Sequence, residues 1–446
     1  MAEQRFLSIL LAFMVFNIPI FPLTSGYYEV SASPSLPPSE PPVSPPYGIL
    51  PPSPSPSSTS LPPRPASQPP VPPKAEPPSP CSTTPSLAPS PSPLPSSGIK
   101  GAYWPSWQAE IIPPSSIPTS YFTHFFYAFA LIDPTSCYLN ISSFDEKWMT
   151  NFTTTLHQKS PSVKVLLSIG GAAANATIFS YMASNFDNRA SFIISSLNEA
   201  RRHGFDGLDL DWEYPATQQD MSNLALLFRE WRVAARLESL LSGKPRLLIS
   251  AAVYFSSNVF NSGVYRTYPG YAIREYLDFL NPMCYDYRGF WNTSVTGAQA
   301  LLYDNSSNIS TSYGISSWKA SGVPSEKLVL GLPAYGRSWT LKDGNQNGIG
   351  APAVGVGPGD QGMIGYNEIA EFNLKNNATV VYDGETVSTY SYAGTTWIGY
   401  DDATSIINKI KFAKSQGLGG YFFWALGSDV NWSLSRAASM AWDGEI

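Results

Sequence analysis

The chain is poor in charge, in cysteine and in histidine. Only 13% of its 446 residues are Asp, Glu, Lys or Arg, and they leave a net charge of −6 with a sequence pI near 5.2. That balance excludes a polyanionic partner such as nucleic acid, which needs clustered basic residues. The three cysteines, Cys81, Cys137 and Cys284, form no CxxC pair, and three histidines complete no Cys/His set. A zinc site of that kind and a disulfide framework are therefore excluded, and an ordinary core must hold the fold. No glycine-rich phosphate loop follows the first candidate strand, which weakens the reading of an open, nucleotide-binding sheet. No unbroken apolar span of ~20 residues occurs. Aromatic residues, also 13%, are as frequent as charged ones, a balance that suits a neutral, hydroxyl-rich ligand.

What is present is unevenly spread. Residues 27–98 carry 26 of the 42 prolines, none of the 12 tryptophans and five charged residues. Such a segment cannot bury a core, and its proline favours extended polyproline II geometry, so it reads as a disordered, semi-rigid spacer. Ahead of it, Arg5 precedes an apolar run over residues 6–16, which Asn17, Pro19 and Pro22 interrupt before small residues at 24–26. That is the pattern of a secretory signal peptide over residues 1–26. The expectation is a secreted protein, extracellular or in the cell wall, with no membrane contact after cleavage; the rival is an uncleaved membrane anchor. Secretion gives meaning to eight Asn-x-Ser/Thr acceptors, at Asn140, Asn151, Asn175, Asn292, Asn305, Asn308, Asn377 and Asn431.

Residues 99–446 remain as one large folded unit. Eight short, nearly continuous apolar runs recur in it, at 99–104, 122–130, 163–169, 205–212, 247–253, 279–285, 328–333 and 419–424. Parallel strands covered on both faces read this way. Helical spacers lie between them. The spacer at 223–241 sets Leu224, Leu227, Phe228, Trp231 and Ala235 on one face, then meets Gly243 and Pro245. Eightfold alternation predicts an α/β fold, a (β/α)8 TIM barrel, with a doubly wound open sheet as the runner-up. The interval after the seventh run is too long for one helix. AYGRSWTL, TVVYDG and TTWIGYDD within residues 334–398 predict a small α+β insertion between strand seven and the last helix, which is expected around 403–416.

The fourth run reads FDGLDLDWEYP, residues 205–215, with four acids in eight residues. Side chains on a strand alternate with a period of two. Asp209, Asp211 and Glu213 then share one face, and Leu208, Leu210 and Trp212 share the other. In a barrel the apolar face packs under the helices. The acids point inward, with Glu213 at the C-terminal end where such barrels do their chemistry. Carboxylates buried together cannot all ionise, and a raised pKa is what a general acid needs. Two rivals are an exposed edge strand with solvated acids and a divalent metal site. Strand spacing holds the acids in a line rather than around an ion, and no further acidic cluster completes a shell.

FDGLDLDWEYP resembles the Asp-x-x-Asp-x-Asp-x-Glu motif of glycoside hydrolase family 18, the chitinases. Ser168-Ile-Gly-Gly171 resembles the family's strand-three element and Met283-Cys-Tyr-Asp286 its strand-six element. Residues 331–336 (GLPAYG), 397–402 (WIGYDD) and 420–424 (GYFFW) fit as well, in an order most similar to the plant class V chitinases. The resemblance covers essentially all of residues 99–446 and none of the proline-rich region.

The resemblance implies retaining hydrolysis of β-1,4-linked N-acetylglucosamine polymers in which the substrate's 2-acetamido oxygen is the nucleophile, an exception to the two-carboxylate scheme. It implies Glu213 as general acid and later base. Asp211 would orient the acetamido N–H, Asp209 would share a proton with Asp211, and Tyr285 would donate to the acetamido oxygen. Tyr103, Asp286, Trp424 and Met283 would line the sugar site, with Trp424 as its apolar floor. Asp206 and Ser168 would be structural supports. Trp339 is a further candidate for sugar stacking. Asn175 would place a glycan acceptor near the catalytic face. Cys284 should face the helices as a buried free thiol, so that a Cys137–Cys284 bridge is not expected.

No cofactor or metal is implied, and chelators should leave activity unchanged. Chitin or chitooligosaccharides are the expected partners of a monomer, with cell-wall polymers as partners of the Pro-rich segment. The alternatives are a lipochitooligosaccharide hydrolase, a transglycosylating chitinase, or a non-catalytic chitin-binding lectin or inhibitor on the same barrel. The last class loses the terminal acid, which Glu213 retains. A structural wall protein with the proline-rich region as its working part is a further alternative.

Overall fold

A computed structural model describes residues 98–260 and 263–446; the leader and spacer assignments lie outside the described residues. Eight parallel strands form the centre: β1 (Ile99–Pro105), β2 (His124–Ile132), β3 (Lys164–Gly170), β4 (Gly207–Asp211), β5 (Leu248–Tyr254), β6 (Phe279–Met283), β7 (Val329–Pro333) and β8 (Gly420–Trp424). They pair in the order β7-β8-β1-β2-β3-β4-β5-β6. A parallel bridge between Leu280 and Leu328 brings the two ends together and closes the barrel. The (β/α)8 expectation therefore holds.

The two faces of these strands feed two separate cores. Leu208, Leu210 and Trp212 pack outward with helix residues such as Phe179, Leu224, Leu227 and Phe228. Tyr103, Phe126, Leu166, Phe279, Met283 and Phe422 fill the barrel interior as a cluster of their own. Alternation along each strand produces this division, and it leaves the acids of β4 facing the inner cluster.

The helices follow from their own signals. The helix after β4 runs Gln218–Ser242; Thr217 caps it by accepting from the Asp220 amide, and Asp220 closes the capping box. It ends at Gly243, whose φ of 68° is left-handed. The last helix, Ser433–Asp443, follows β8, so the helix expected around 403–416 is the one before it: Ala403–Ser415 leads into β8 and is capped by Asp402 in the same way.

Between β7 and that helix lies the α+β insertion. Its central strand Tyr335–Leu341 pairs with Ala353–Val356, Met363–Gly365 and Thr396–Tyr400, and a helix spans Tyr366–Lys375. The insertion extends two residues past the expected boundary at 398, because its last strand runs on to Tyr400. Trp339 is a correction to the sequence reading. It is 1% exposed, packs edge-on against Trp397 at 5.5 Å and donates Nε1–H to the Asn292 carbonyl. It is the core of the insertion and has no face to offer a sugar.

Cys137 and Cys284 are both buried and free. Cys284 belongs to the outer core, and burial pushes its thiol up to about 12. All eight sequon asparagines are exposed. Among the described residues no helix is long and apolar enough to cross a membrane.

Candidate active site

The register of the sheet assembles the site. Ser168 on β3, Asp209 on β4 and Ser250 on β5 are direct neighbours across three strands. Both hydroxyls donate to Asp209, Ser168 to Oδ2 at 2.8 Å and Ser250 to Oδ1 at 2.7 Å. Tyr103 on β1 donates its phenol to Oδ2 at 2.8 Å, and the Asn281 amide on β6 approaches Oδ1 at 3.4 Å. Asp209, fully buried, thus has donors on both oxygens. Burial raises its pKa, and the hydroxyl donors pull it back.

Asp211 is two residues farther along the same inward face and 4% exposed. Its Oδ1 is buried with no protein partner. Burial, then the charges of Glu213 and Asp209, hold its pKa well above the ordinary carboxylate range. Glu213 follows the end of β4 and is half-buried. Burial, and then the charge of Asp286, push it up to about 7. The row therefore runs from a caged carboxylate at depth to a protonatable acid at the rim.

Asp211 and Glu213 open into a cleft at the C-terminal end of the barrel, the end where such barrels carry their sites. Tyr103, Asp211, Glu213, Met283, Tyr285, Asp286 and Trp424 all line it. Trp424, at the end of β8, stacks on Phe129 at 5.6 Å and meets Tyr103 edge-on at the same distance. Its remaining surface forms a flat apolar wall. Tyr285 packs edge-on to Tyr335 and Phe422, and burial holds its phenol well above the usual range. The structure brings together every residue expected at the sugar site.

The expected supports lie outside the cavity wall. Ser168 acts on Asp209 as described. Asp206 sits just before β4, at the opposite end of the barrel. It accepts from His157 Nε2 at 2.8 Å and from the Val165 amide at 2.9 Å, and pairs with Lys164 at 3.4 Å. It ties β3 and β4 to the first barrel helix, Ser143–Lys159.

The two glycines of Ser168-Ile-Gly-Gly171 have a steric cause. A side chain on Gly170 would lie 2.0 Å from the Asp211 carbonyl oxygen, and one on Gly171 would lie 2.5 Å from the Phe129 ring. Only glycine lets β3 pass this close to the acid-bearing strand. Asn175 caps the helix Ala176–Ser184 just beyond, with its Oδ1 accepting from the Thr177 amide and hydroxyl.

Sequence reasoning missed several participants. Ser250 and Asn281 were hidden inside apolar runs, LLISAAV and FLNPM, although each is a polar residue at an inward position. Arg337 was missed because it lies on the insertion. It pairs with Asp286 at 2.8 Å, and its guanidinium lies over the Trp291 and Tyr335 rings at 5.7 and 5.6 Å. Phe129 and Tyr214 complete the cavity wall. Among the described residues no group of three His, Cys, Asp or Glu side chains is arranged to hold a metal ion.

Comparison with known proteins agrees with this geometry. The sequence profile of glycosyl hydrolases family 18 matches residues 100–429. A class V chitinase of Lotus japonicus is 53% identical over 352 residues, 78% of this chain and 87% of that one. Nod factor hydrolase protein 1 of Medicago truncatula is 46% identical over 354 residues, 78% of this chain and 90% of the other. A solved mutant of the class V chitinase from Nicotiana tobaccum, in complex with NAG4, matches with a TM-score of 0.74 at 42% identity, covering 77% of this chain and 99% of that one. The chitinase-like agglutinin from Robinia pseudoacacia matches with a TM-score of 0.71 at 44% identity over the same shares. From the profile match, the closed parallel barrel and the acid row on its fourth strand, we conclude that this chain belongs to glycosyl hydrolase family 18.

Proposed function

We propose that the protein is a chitinase that cleaves β-1,4 linkages of N-acetylglucosamine oligomers and polymers with retention, through substrate assistance. The observation that carries this reading is the graded acid row: Asp209 caged by donors, Asp211 with a bare buried oxygen, and Glu213 protonatable at the cavity.

A sugar unit lies on the Trp424 wall. Asp211 Oδ1, which lacks a protein partner, accepts the acetamido N–H, while Tyr285 donates to the acetamido oxygen. That oxygen is then held in line with the anomeric carbon, which is the main proximity gain. Glu213 donates its proton to the glycosidic oxygen as that bond breaks, and the acetamido oxygen bonds to the anomeric carbon. As positive charge develops on the oxazolinium ring, the proton of Asp211 passes to Asp209, and the Asp211 carboxylate balances the ring. Water then attacks the anomeric carbon and gives its proton to Glu213, which regenerates the acid. Asp286 and Met283 border the sugar, and no metal or cofactor takes part.

The test is cleavage of chitin hexamer by the wild type beside Glu213→Gln. The variant is expected to lose about 10²- to 10⁴-fold in kcat, the range for removal of a general acid, while still binding the oligomer. A folded wild type that binds hexamer without cutting it would overturn the reading in favour of a lectin, the role that the Robinia agglutinin's name describes. The similarity to a Nod factor hydrolase favours lipochitooligosaccharides as a second substrate class at the same site.

The leader and the proline-rich segment suit secretion and tethering at the cell wall. Equal wall retention after deletion of residues 27–98 would remove the tether.

A further inference from the structure

Asn281 is the one amide in the cage around Asp209. It lies on β6, inside the barrel and fully buried. Its Nδ2 donates to the Tyr103 hydroxyl oxygen at 3.2 Å and more weakly to Asp209 Oδ1 at 3.4 Å. Its Oδ1 is buried and has no partner. The other partners of Asp209 are hydroxyls: Tyr103, Ser168 and Ser250.

That chemical difference matters. A hydroxyl is both donor and acceptor and reverses its role by turning its hydrogen. A carboxamide reverses only by rotating the whole group. With the NH2 end toward Tyr103 and Asp209, the phenol's lone pair is occupied by Asn281, so its proton must go to Asp209. Each carboxylate oxygen then faces one donor that cannot turn round, Tyr103 at Oδ2 and the Asn281 amide at Oδ1. A proton on either oxygen of Asp209 would face such a donor, whatever the serine hydroxyls do.

From this geometry we propose that Asn281 is a positioning residue. It fixes the direction of the hydrogen bonds around Asp209 so that Asp209 is the charged member of the row in the free protein. The proton shared by the pair then resides on Asp211, which needs it at the start of the reaction. The inference rests on the proposed hydrolase reading and adds a residue to it.

The titratable groups facing Asp209 are Tyr103 from β1 and Asp211 from its own strand. The other strands around it present Ser168, Ser250, Asn281 and the rings of Phe126, Phe279 and Phe422. Of the two titratable neighbours, only Asp211 is a carboxyl group able to hold the proton in Asp209's place.

The experiment is the pH profile of kcat/KM on chitin hexamer for the wild type, Asn281→Asp, Asn281→Leu and Ser250→Ala, each checked for folding by its thermal melt. Removing a donor to a carboxylate disfavours the charged form. The acid-side midpoint should therefore move upward, by about one pH unit for Asn281→Leu, the scale of one lost charge-assisted hydrogen bond. Ser250→Ala, which removes a donor from the same oxygen, should move it the same way. Asn281→Asp keeps the shape and adds a carboxyl group, and should move it at least as far. KM should change little. Should Asn281→Leu fail to fold, the isosteric and serine variants carry the test. Folded variants that keep the wild-type midpoint, whether or not kcat falls, would overturn the proposal. Wild-type cleavage in the same assay separates that failure from failure of the hydrolase reading.

Discussion

Arg337 holds Asp286 with two nitrogens, Nε and a terminal nitrogen, each 2.8 Å from the same carboxylate oxygen. The pair joins the insertion to the rim of the barrel. Arg337 is 8% exposed and braced by Trp291 and Tyr335. Asp286 is held with a φ of 58° and donates its backbone N–H to Gln299 Oε1 at 3.2 Å. The insertion therefore supplies a positive charge that partly offsets Asp286, the neighbour whose charge raises Glu213.

Arg337→Met should raise KM for chitin hexamer about tenfold, since Asp286 loses the pair that orients it at the cavity wall. Asp286 also becomes a less compensated anion beside Glu213. The alkaline midpoint of kcat/KM should therefore move upward. Steady-state kinetics across pH measures both effects.

Glu213 must hold its proton to act as an acid, and its pKa is pushed up to about 7. Activity should fall as pH rises through that value and be full below it, down to the acid-side limb. Replacing Glu213 by Asp shortens the reach to the glycosidic oxygen and should lower kcat without moving KM much. A profile still flat at pH 9 would mean that another group donates the proton.

Asp211 should cost stability. Its folded pKa lies well above the unfolded value of about 3.9. Above that lower value the unfolded chain binds fewer protons than the folded one, so stability falls as pH rises from about 4 toward the folded pKa. Asp211→Asn removes the titration. It should be inactive yet melt a few degrees higher at pH 7, with the gap narrowing toward pH 4. Thermal melts of both proteins at several pH values measure this.

Two tryptophans should separate binding from folding. Trp424→Ala removes a half-buried wall of the cleft and should raise KM or lower kcat at least tenfold, with a smaller change in melting temperature than Trp339→Ala. Trp339→Ala opens a void in the insertion core and should cost about 3–5 kcal/mol of stability, the usual range for such truncations. Paired kinetics and melts distinguish the two, and a wild-type melt for Trp339→Ala would contradict the assignment.

The sequence carried most of this architecture because the barrel repeats one local pattern. Each apolar run became a strand, and the period of two along FDGLDLDW divided the inner face from the outer one. What could not be read is tertiary. Arg337 meets Asp286 only when the insertion folds back over β6 and β7, and no local spacing encodes that contact. Trp339 looked like a sugar platform because an aromatic residue in a turn-rich segment carries no mark of burial; the sheet of the insertion encloses it against Trp397. Ser250 and Asn281 differ again. Both were in view as polar breaks in apolar runs, but their role depends on the cross-strand register that sets them beside Asp209.

The central claim is that the acetamido group of the substrate, rather than a directly attacking water, takes the anomeric carbon first. Its most direct test is the anomeric configuration of newly formed products, followed by proton NMR during chitin hexamer cleavage before mutarotation. Two successive inversions at one carbon predict the β-anomer. Initial release of the α-anomer would mean single displacement by water and would contradict the account.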